Sequence, residues 1–177
     1  LDHPDAVERM AVLDICPTAT MYAATDQRFA TAYYHWFFLI QPPDFPERMI
    51  ANNTHYYVRH TIASWCRTED AFDEAVLRHY VEAFFAPTAI HAACEDYRAG
   101  ATIDLAHDAE SDAAGRKLTV PLLALWGARG IVGRTFDVLA TWREKSAASV
   151  TGHALDCGHF LPEEAPEDTL KALIDFF

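Results

Sequence analysis

Residues 158–166 read Gly158-His159-Phe160-Leu161-Pro162-Glu163-Glu164-Ala165-Pro166, and the rest of the chain is best read outward from them. Glycine tolerates the backbone conformations of a tight turn. Here it precedes a histidine, and prolines and acids follow, as at the start of a helix whose positive dipole end is met by carboxylates. Upstream, a weak strand pattern covers roughly residues 149–156 and stops at Gly158. His159 therefore stands on a turn between a strand and a helix. An imidazole held there can take a proton from water near neutral pH when a carboxylate fixes its tautomer. A lone histidine is more often structural, so its surroundings decide.

Two more strands lie upstream. Residues 8–16 hold a short apolar run ending before Pro17, and Val120 to Trp126 form a second run closed by Gly127 and Gly130. Such runs read as buried parallel strands. Phe136, Leu139, Ala140 and Arg143 outline one helix. Leu170, Leu173, Ile174 and Phe177 keep i, i+3, i+4, i+7 spacing and predict an amphipathic C-terminal helix, with Glu163, Glu164, Glu167 and Asp168 as its acidic first turn.

Between the first two strands, residues 18–100 carry 16 of the 22 aromatics. Phe29, Tyr33, Trp36 and Ile40 keep helical spacing, as do Val76, Tyr80, Ala83 and Phe84, with Asp26 and Asp70 as expected N-caps and Pro42-Pro43 and Pro46 as breaks. A helical, aromatic-rich excursion between strands reads as a lid (cap domain) over a cleft, although the aromatics would equally pack a helical core. The expected division is 1–17 for the first strand and its acid loop, 18–100 for the lid, and 101–177 for the remaining two strands and their helices.

The order strand, lid, strand, helix, strand, helix predicts an α/β fold, the second half of an open parallel sheet. Three strands alone would expose a long edge. The chain also opens at Leu1 on its way into a strand, and all seven glycines lie at or after Gly100. Both features predict that a missing N-terminal segment or a homo-oligomer partner, as in a dimer, completes the sheet.

A formal net charge of −12 argues against nucleic acid and anionic membrane surfaces as partners. It also means that an anionic substrate needs a local cationic clamp. Cys16, Cys66, Cys94 and Cys157 are too dispersed for a zinc site or a disulfide framework and read as reduced thiols of a cytoplasmic protein. The nine histidines include no HExxH and the glycines form no phosphate-cradling loop, so no metal and no cofactor is expected.

Ligands of open parallel sheets bind at the carboxyl ends of the strands. Asp14, Arg129 and His159 stand at those ends. After Trp126-Gly127 the sequence runs Ala128-Arg129-Gly130-Ile131-Val132-Gly133 without an acid, which leaves Asp14 as the carboxylate candidate for His159. The bland alternative is that Asp14 only caps the turn after its strand.

The Gly-His-x-x-x-x-Glu-x-Pro spacing at 158–166, with Trp126-Gly127, resembles the catalytic-histidine signature of α/β-hydrolases. Val12-Leu13-Asp14-Ile15, Tyr34-His35-Trp36-Phe37, Cys94-Glu95-Asp96-Tyr97-Arg98-Ala99-Gly100 and Cys157 to Pro166 together resemble the fluoroacetate (haloacetate) dehalogenases of that superfamily, over essentially all 177 residues. The resemblance implies the C-terminal half of an α/β-hydrolase fold, with a mostly helical lid inserted after the first strand. It implies hydrolytic dehalogenation of a small haloacid through an aspartyl ester, giving glycolate and halide. It makes His159 the general base, Asp14 its orienting acid, and His35, Trp36 and Tyr97 the halide site. Three N–H or O–H donors aimed at one point would stabilise departing fluoride.

The chain departs from the family pattern in one respect. The family's nucleophile lies on a Gly-x-Asp-x-Gly turn alongside substrate-clamping arginines, and these 177 residues hold no such turn. Arg98, Arg129 and Arg134 are the cations expected near the cleft, though none matches a clamp position. Two other readings stay open: an epoxide hydrolase of the same superfamily, and an inactive fragment or assembly module.

Overall fold

A computed structural model describes residues Leu1–Phe177 in full. Its three strands are β1 (Met10–Leu13), β2 (Leu122–Gly127) and β3 (Val150–Leu155), parallel and ordered β1-β2-β3. In chain order the helices are α1 (Thr18–Ala23), α2 (Gln27–Ala32), α3 (Tyr34–Leu39), α4 (Phe45–Ala51), α5 (Thr54–Trp65), α6 (Glu74–Phe84), α7 (Pro87–Ala101), α8 (Ile103–Ala113), α9 (Ile131–Thr135), α10 (Val138–Glu144), α11 (Leu161–Glu164) and α12 (Pro166–Phe176). No helix is long and apolar enough to cross a membrane.

The chain forms two compact units. The strand unit comprises Leu1–Ala24, Cys66–Glu69 and Asp108–Phe177; the helical unit comprises Thr25–Trp65 and Asp70–His107. Helix α1 and the short segment 66–69, both inside the stretch read as lid, thus group with the strands.

In the strand unit β2 is central, pairing Leu13 with Leu125 on one side and Gly127 with Leu155 on the other. Its Leu122, Leu123, Ala124 and Leu125 are all buried, as a strand covered on both faces requires. Leu123, Leu125, Leu155, Cys157 and Leu161 form a core against which Leu173 and Phe176 of α12 pack. The apolar face of α12 differs from the one its spacing predicts: Leu173 packs inward, but Leu170, Ile174 and Phe177 are exposed. Helix α12 seats on the sheet through Thr169, Ala172, Leu173 and Phe176, and its apolar stripe is wider than that contact.

Gly152, opposite Ala124 in the ladder, has φ +150, and a Cβ there would overlap the carbonyl of Ala124. Neither backbone can yield inside a paired ladder. Gly152→Ala is expected to lower stability by about 2–3 kcal/mol or more, measured by urea unfolding against Gly100→Ala, where a Cβ meets nothing.

The helical unit is built on aromatic packing. Phe29 stacks on Tyr33 at 4.8 Å and meets Trp36 edge-on at 6.1 Å. These residues keep their expected common face, but the helix breaks at Tyr33 into α2 and α3. Asp26 caps α2 as predicted, accepting from the Phe29 N–H at 2.7 Å. Asp70 does not cap α6; Asp73 does, through the Val76 N–H, while Asp70 takes a left-handed turn at φ +58. Of the second predicted face, Val76 and Tyr80 are exposed, and Val81 carries the burial of α6. A second cluster joins Leu39, Ile50, Ile90 and Cys94.

Beside this cluster Arg98 bonds Glu47 at 2.7 and 3.1 Å, Glu95 at 2.5 Å and the Gln41 carbonyl at 2.8 and 3.0 Å. Glu47, His91 and Glu95 offer ligand atoms within 4.8 Å of one another, a grouping that sequence spacing does not reveal, and Arg98 already supplies the cation among them. The Arg98 hydrogen bond holds the Glu47 carboxyl at about 2, well below its ordinary 4.5. A depressed carboxyl stabilises the fold above its unfolded value and loses that contribution as the pH falls through the folded one. Stability should therefore drop between about pH 4.5 and 2, and Glu47→Gln should flatten part of that drop in urea midpoints taken across this range.

Candidate active site

The parallel strands of the strand unit end together, and three loops meet there. Strand β1 ends on Asp14, whose backbone turns left-handed at φ +49 after its N–H joins the ladder to the Leu125 carbonyl at 2.8 Å. Aspartate is among the few side chains that enter this region readily. The turn leaves the carboxylate 1% exposed, with Oδ1 accepting the Gly127 N–H at 3.0 Å and Oδ2 2.7 Å from His159 Nδ1.

Strand β3 delivers His159 after Asp156-Cys157-Gly158. The loops after β2 and β3 touch backbone to backbone: Ala128 N–H donates to the Leu155 carbonyl at 2.8 Å and Arg129 N–H to the Cys157 carbonyl at 3.0 Å. A Cβ on Gly127 would overlap the Gly158 carbonyl, so only glycine lets the histidine loop cross here. With Nδ1–H donating to Asp14, the neutral imidazole keeps Nε2 as its proton acceptor. The side chain is 36% exposed, so that acceptor sits on a ring open to solvent.

In the sequence Glu164 belongs to an acidic helix start and to the Gly-His-x-x-x-x-Glu-x-Pro spacing, with no role of its own assigned. In the structure it ends α11, and its carboxylate, 8% exposed, folds back onto the histidine loop. Oε2 accepts the Gly158 N–H at 2.8 Å and the Arg67 N–H at 2.7 Å, and Oε1 accepts the Phe160 N–H at 2.9 Å. Burial opposes its charge, but the backbone donors prevail, with Thr68 adding a side-chain bond, and the carboxyl stays below its usual range. The Glu-x-Pro spacing after the histidine was the available signal for this residue.

Arg129 stands beside the pair but does not point a free charge into the site. Its guanidinium donates to the Arg67 and Asp156 carbonyls, both at 2.7 Å, and to Thr68 Oγ1 at 3.1 Å, and it pairs with the Asp156 carboxylate at 3.0 Å. Cys157, two residues before His159, is fully buried. Burial, then the negative Glu164 and Asp14, push its thiol up to about 12, so it carries no thiolate at neutral pH.

The remaining predicted residues belong to the helical unit. His35 and Trp36 on α3 are buried, and Tyr97 on α7 is half-buried. The Tyr97 ring centre lies 5.6 Å from that of His35 and 6.5 Å from that of Trp36, and Trp65 closes on His35 at 4.5 Å. One aromatic cluster thus gathers the three residues of the expected halide site.

No protein-family model matches the chain. It is 37% identical over 177 residues to fluoroacetate dehalogenase of Burkholderia sp, covering 99% of this chain and 57% of that protein. It is 32% identical over 183 residues to soluble epoxide hydrolase of Corynebacterium sp. (strain C12), covering 99% and 60%. A crystal structure of a protein assigned to the α/β hydrolases, from Nostoc sp PCC 7120, superposes with a TM-score of 0.94 at 54% identity, over 99% of this chain and 59% of that one. The chain has the fold of the C-terminal part of an α/β-hydrolase, and the solved structure it matches at 54% identity is assigned to that superfamily. Within the superfamily it is similar to fluoroacetate dehalogenase, as its motifs led us to expect. It spans 57% and 60% of the lengths of these two curated relatives.

The buried thiol beside His159 makes a checkable statement. In the folded protein at neutral pH, Cys157 should resist iodoacetamide and become labelled only on unfolding, as read by mass spectrometry of the peptide that carries it.

Proposed function

We propose that the protein hydrolyses the carbon–halogen bond of a small haloacid such as fluoroacetate. The observation that carries this reading is the 2.7 Å bond between His159 Nδ1 and the buried Asp14 carboxylate, a general base with its orienting acid. In the proposed reaction, a carboxylate nucleophile outside these 177 residues attacks the α-carbon. The carbon–fluorine bond breaks, fluoride leaves with the bonding pair, and an ester forms. His159 Nε2 then takes a proton from water, and the resulting hydroxide attacks the ester carbonyl. Glycolate departs, the carboxylate is restored, and the histidine passes its proton to solvent. His35, Trp36 and Tyr97 serve as donors to the departing halide. These steps need no cofactor and no metal. On this reading the protein works in the cytoplasm, where its four free cysteines stay reduced.

Similarity to the Corynebacterium epoxide hydrolase supports a second reading, in which the same His159–Asp14 pair hydrolyses an ester formed from an epoxide. Fluoride release from fluoroacetate, measured with an ion-selective electrode beside diol formation from an epoxide, separates the two. With the full-length protein we expect fluoride release, reduced about 10²–10⁴-fold by His159→Ala and by Asp14→Asn. Unchanged turnover by His159→Ala would remove the base from the mechanism. Diol without fluoride would favour the second reading. This chain alone should release none, and a folded monomer that did so would overturn the external nucleophile.

A further inference from the structure

Glu164 bonds the two peptide N–H groups on either side of His159, Gly158 and Phe160, with one carboxylate oxygen each. Its own backbone N–H also donates to the same loop, at the Phe160 carbonyl, over 2.8 Å. The Oε2 that takes Gly158 also takes the Arg67 N–H. The segment Cys66–Glu69 is pinned from the other side by Arg129, which holds the Arg67 carbonyl, Thr68 and the Asp156 carbonyl at once. The peptide carrying His159 is therefore fixed at 156, 158 and 160, while the imidazole itself meets Asp14.

We propose that Glu164 is a positioning residue that holds His159 Nδ1 against Asp14; this rests on the reading of His159 as the base. A cap for α11 alone would need one bond, to the Phe160 N–H. The bond to Gly158, outside the helix, and the shared Arg67 N–H are what a loop clamp adds. The demand is for two acceptor oxygens facing three backbone donors and the Thr68 side chain, which a carboxylate meets and an amide does not. Glutamine in the same place turns an NH₂ toward either Phe160 or the Gly158–Arg67 pair, donor against donor.

The test uses the full-length protein and two readouts. The first is turnover, with kcat and KM separated. The second is the downfield proton resonance of an imidazole Nδ1–H bonded to a carboxylate, assigned by its loss in Asp14→Asn. Glu164→Gln should lower kcat on the order of ten- to a hundredfold, the scale of a misplaced catalytic group, leave KM within about twofold, and shift or abolish the resonance. Thr169→Val, which removes a bond to the Leu161 carbonyl in the same helix pair, should lower the melting temperature and leave kcat and the resonance unchanged. If Glu164→Gln behaves like Thr169→Val, the residue is only a structural cap and the proposal falls. Should Glu164→Gln fail to fold, Glu164→Asp, which keeps the charge and retracts it, decides by the same readouts: a changed resonance and lower kcat support the clamp, and unchanged ones overturn it. Absence of turnover in the unmutated protein would count against the proposed function alone, since the resonance still reports whether Glu164 seats His159 on Asp14.

Discussion

Asp14 and His159 lie on strands that never touch. Strands β1 and β3 each pair with β2, so the 2.7 Å contact between carboxylate and imidazole is a long-range product of the β2 register on both sides. A slip of one residue on either side would turn Asp14 or the approach to His159 onto the wrong face. The pair also sets a debt of its own. A carboxylate 1% exposed is costly to bury without donors, and here it receives the Gly127 N–H and the histidine. Both donors depend on Gly127, whose missing side chain lets the β3 loop cross its backbone. The glycine, the aspartate and the histidine form one geometric constraint shared among three strand ends.

Much of this was legible in the sequence because strands and their punctuation are local. Apolar runs closed by Pro17 and Gly127, and a weaker strand pattern stopped by Gly158, locate β1, β2 and β3 to within a few residues. The missing acid after Trp126 pointed to Asp14. What could not be read depended on where side chains turn in space. Glu164 sits among four acids that all suit a helix start; the Glu-x-Pro spacing after the histidine singles it out, but not that its carboxylate folds back to the histidine loop. Asp70 and Asp73 are equally plausible caps three residues apart, and only the backbone path, left-handed at Asp70, decides between them. Tyr33 keeps its place on the aromatic face even though the helix breaks there, so periodicity recorded the face and missed the break. The stripe on α12 failed differently: spacing counts apolar residues but not how wide a surface they meet.

The helical unit obeys a different logic. It combines ring packing around Phe29, Tyr33 and Trp36, the buried cluster of Leu39, Ile50, Ile90 and Cys94, and an ion cluster centred on Arg98. The residues proposed to meet a halide, His35, Trp36 and Tyr97, belong to that same packing. This explains why a core reading and a binding reading of Trp36 could not be separated by sequence: the ring does the first job whether or not its N–H does the second. Packing on several sides fixes the orientation of such donors in advance, which is what stabilising a departing anion requires.

The same accounting constrains how the proposed substrate would be held. At a net charge of −12, a haloacid's carboxylate must find a local cation whose donors are not already used. Arg98 donates to Gln41, Glu47 and Glu95 from all three of its guanidinium nitrogens. Arg129 likewise places all three on the 66–69 segment and Asp156. Drawing Arg98 away would leave Glu47 without its cation, and drawing Arg129 away would unpin the 66–69 segment from the Asp156 backbone before His159. Both are therefore poor candidates for a clamp, although they were two of the three cations expected near the cleft. In the proposed reaction the carboxylate is better met by cations that arrive with the nucleophile, leaving Arg129 to do for the histidine loop what β2 does for the strands.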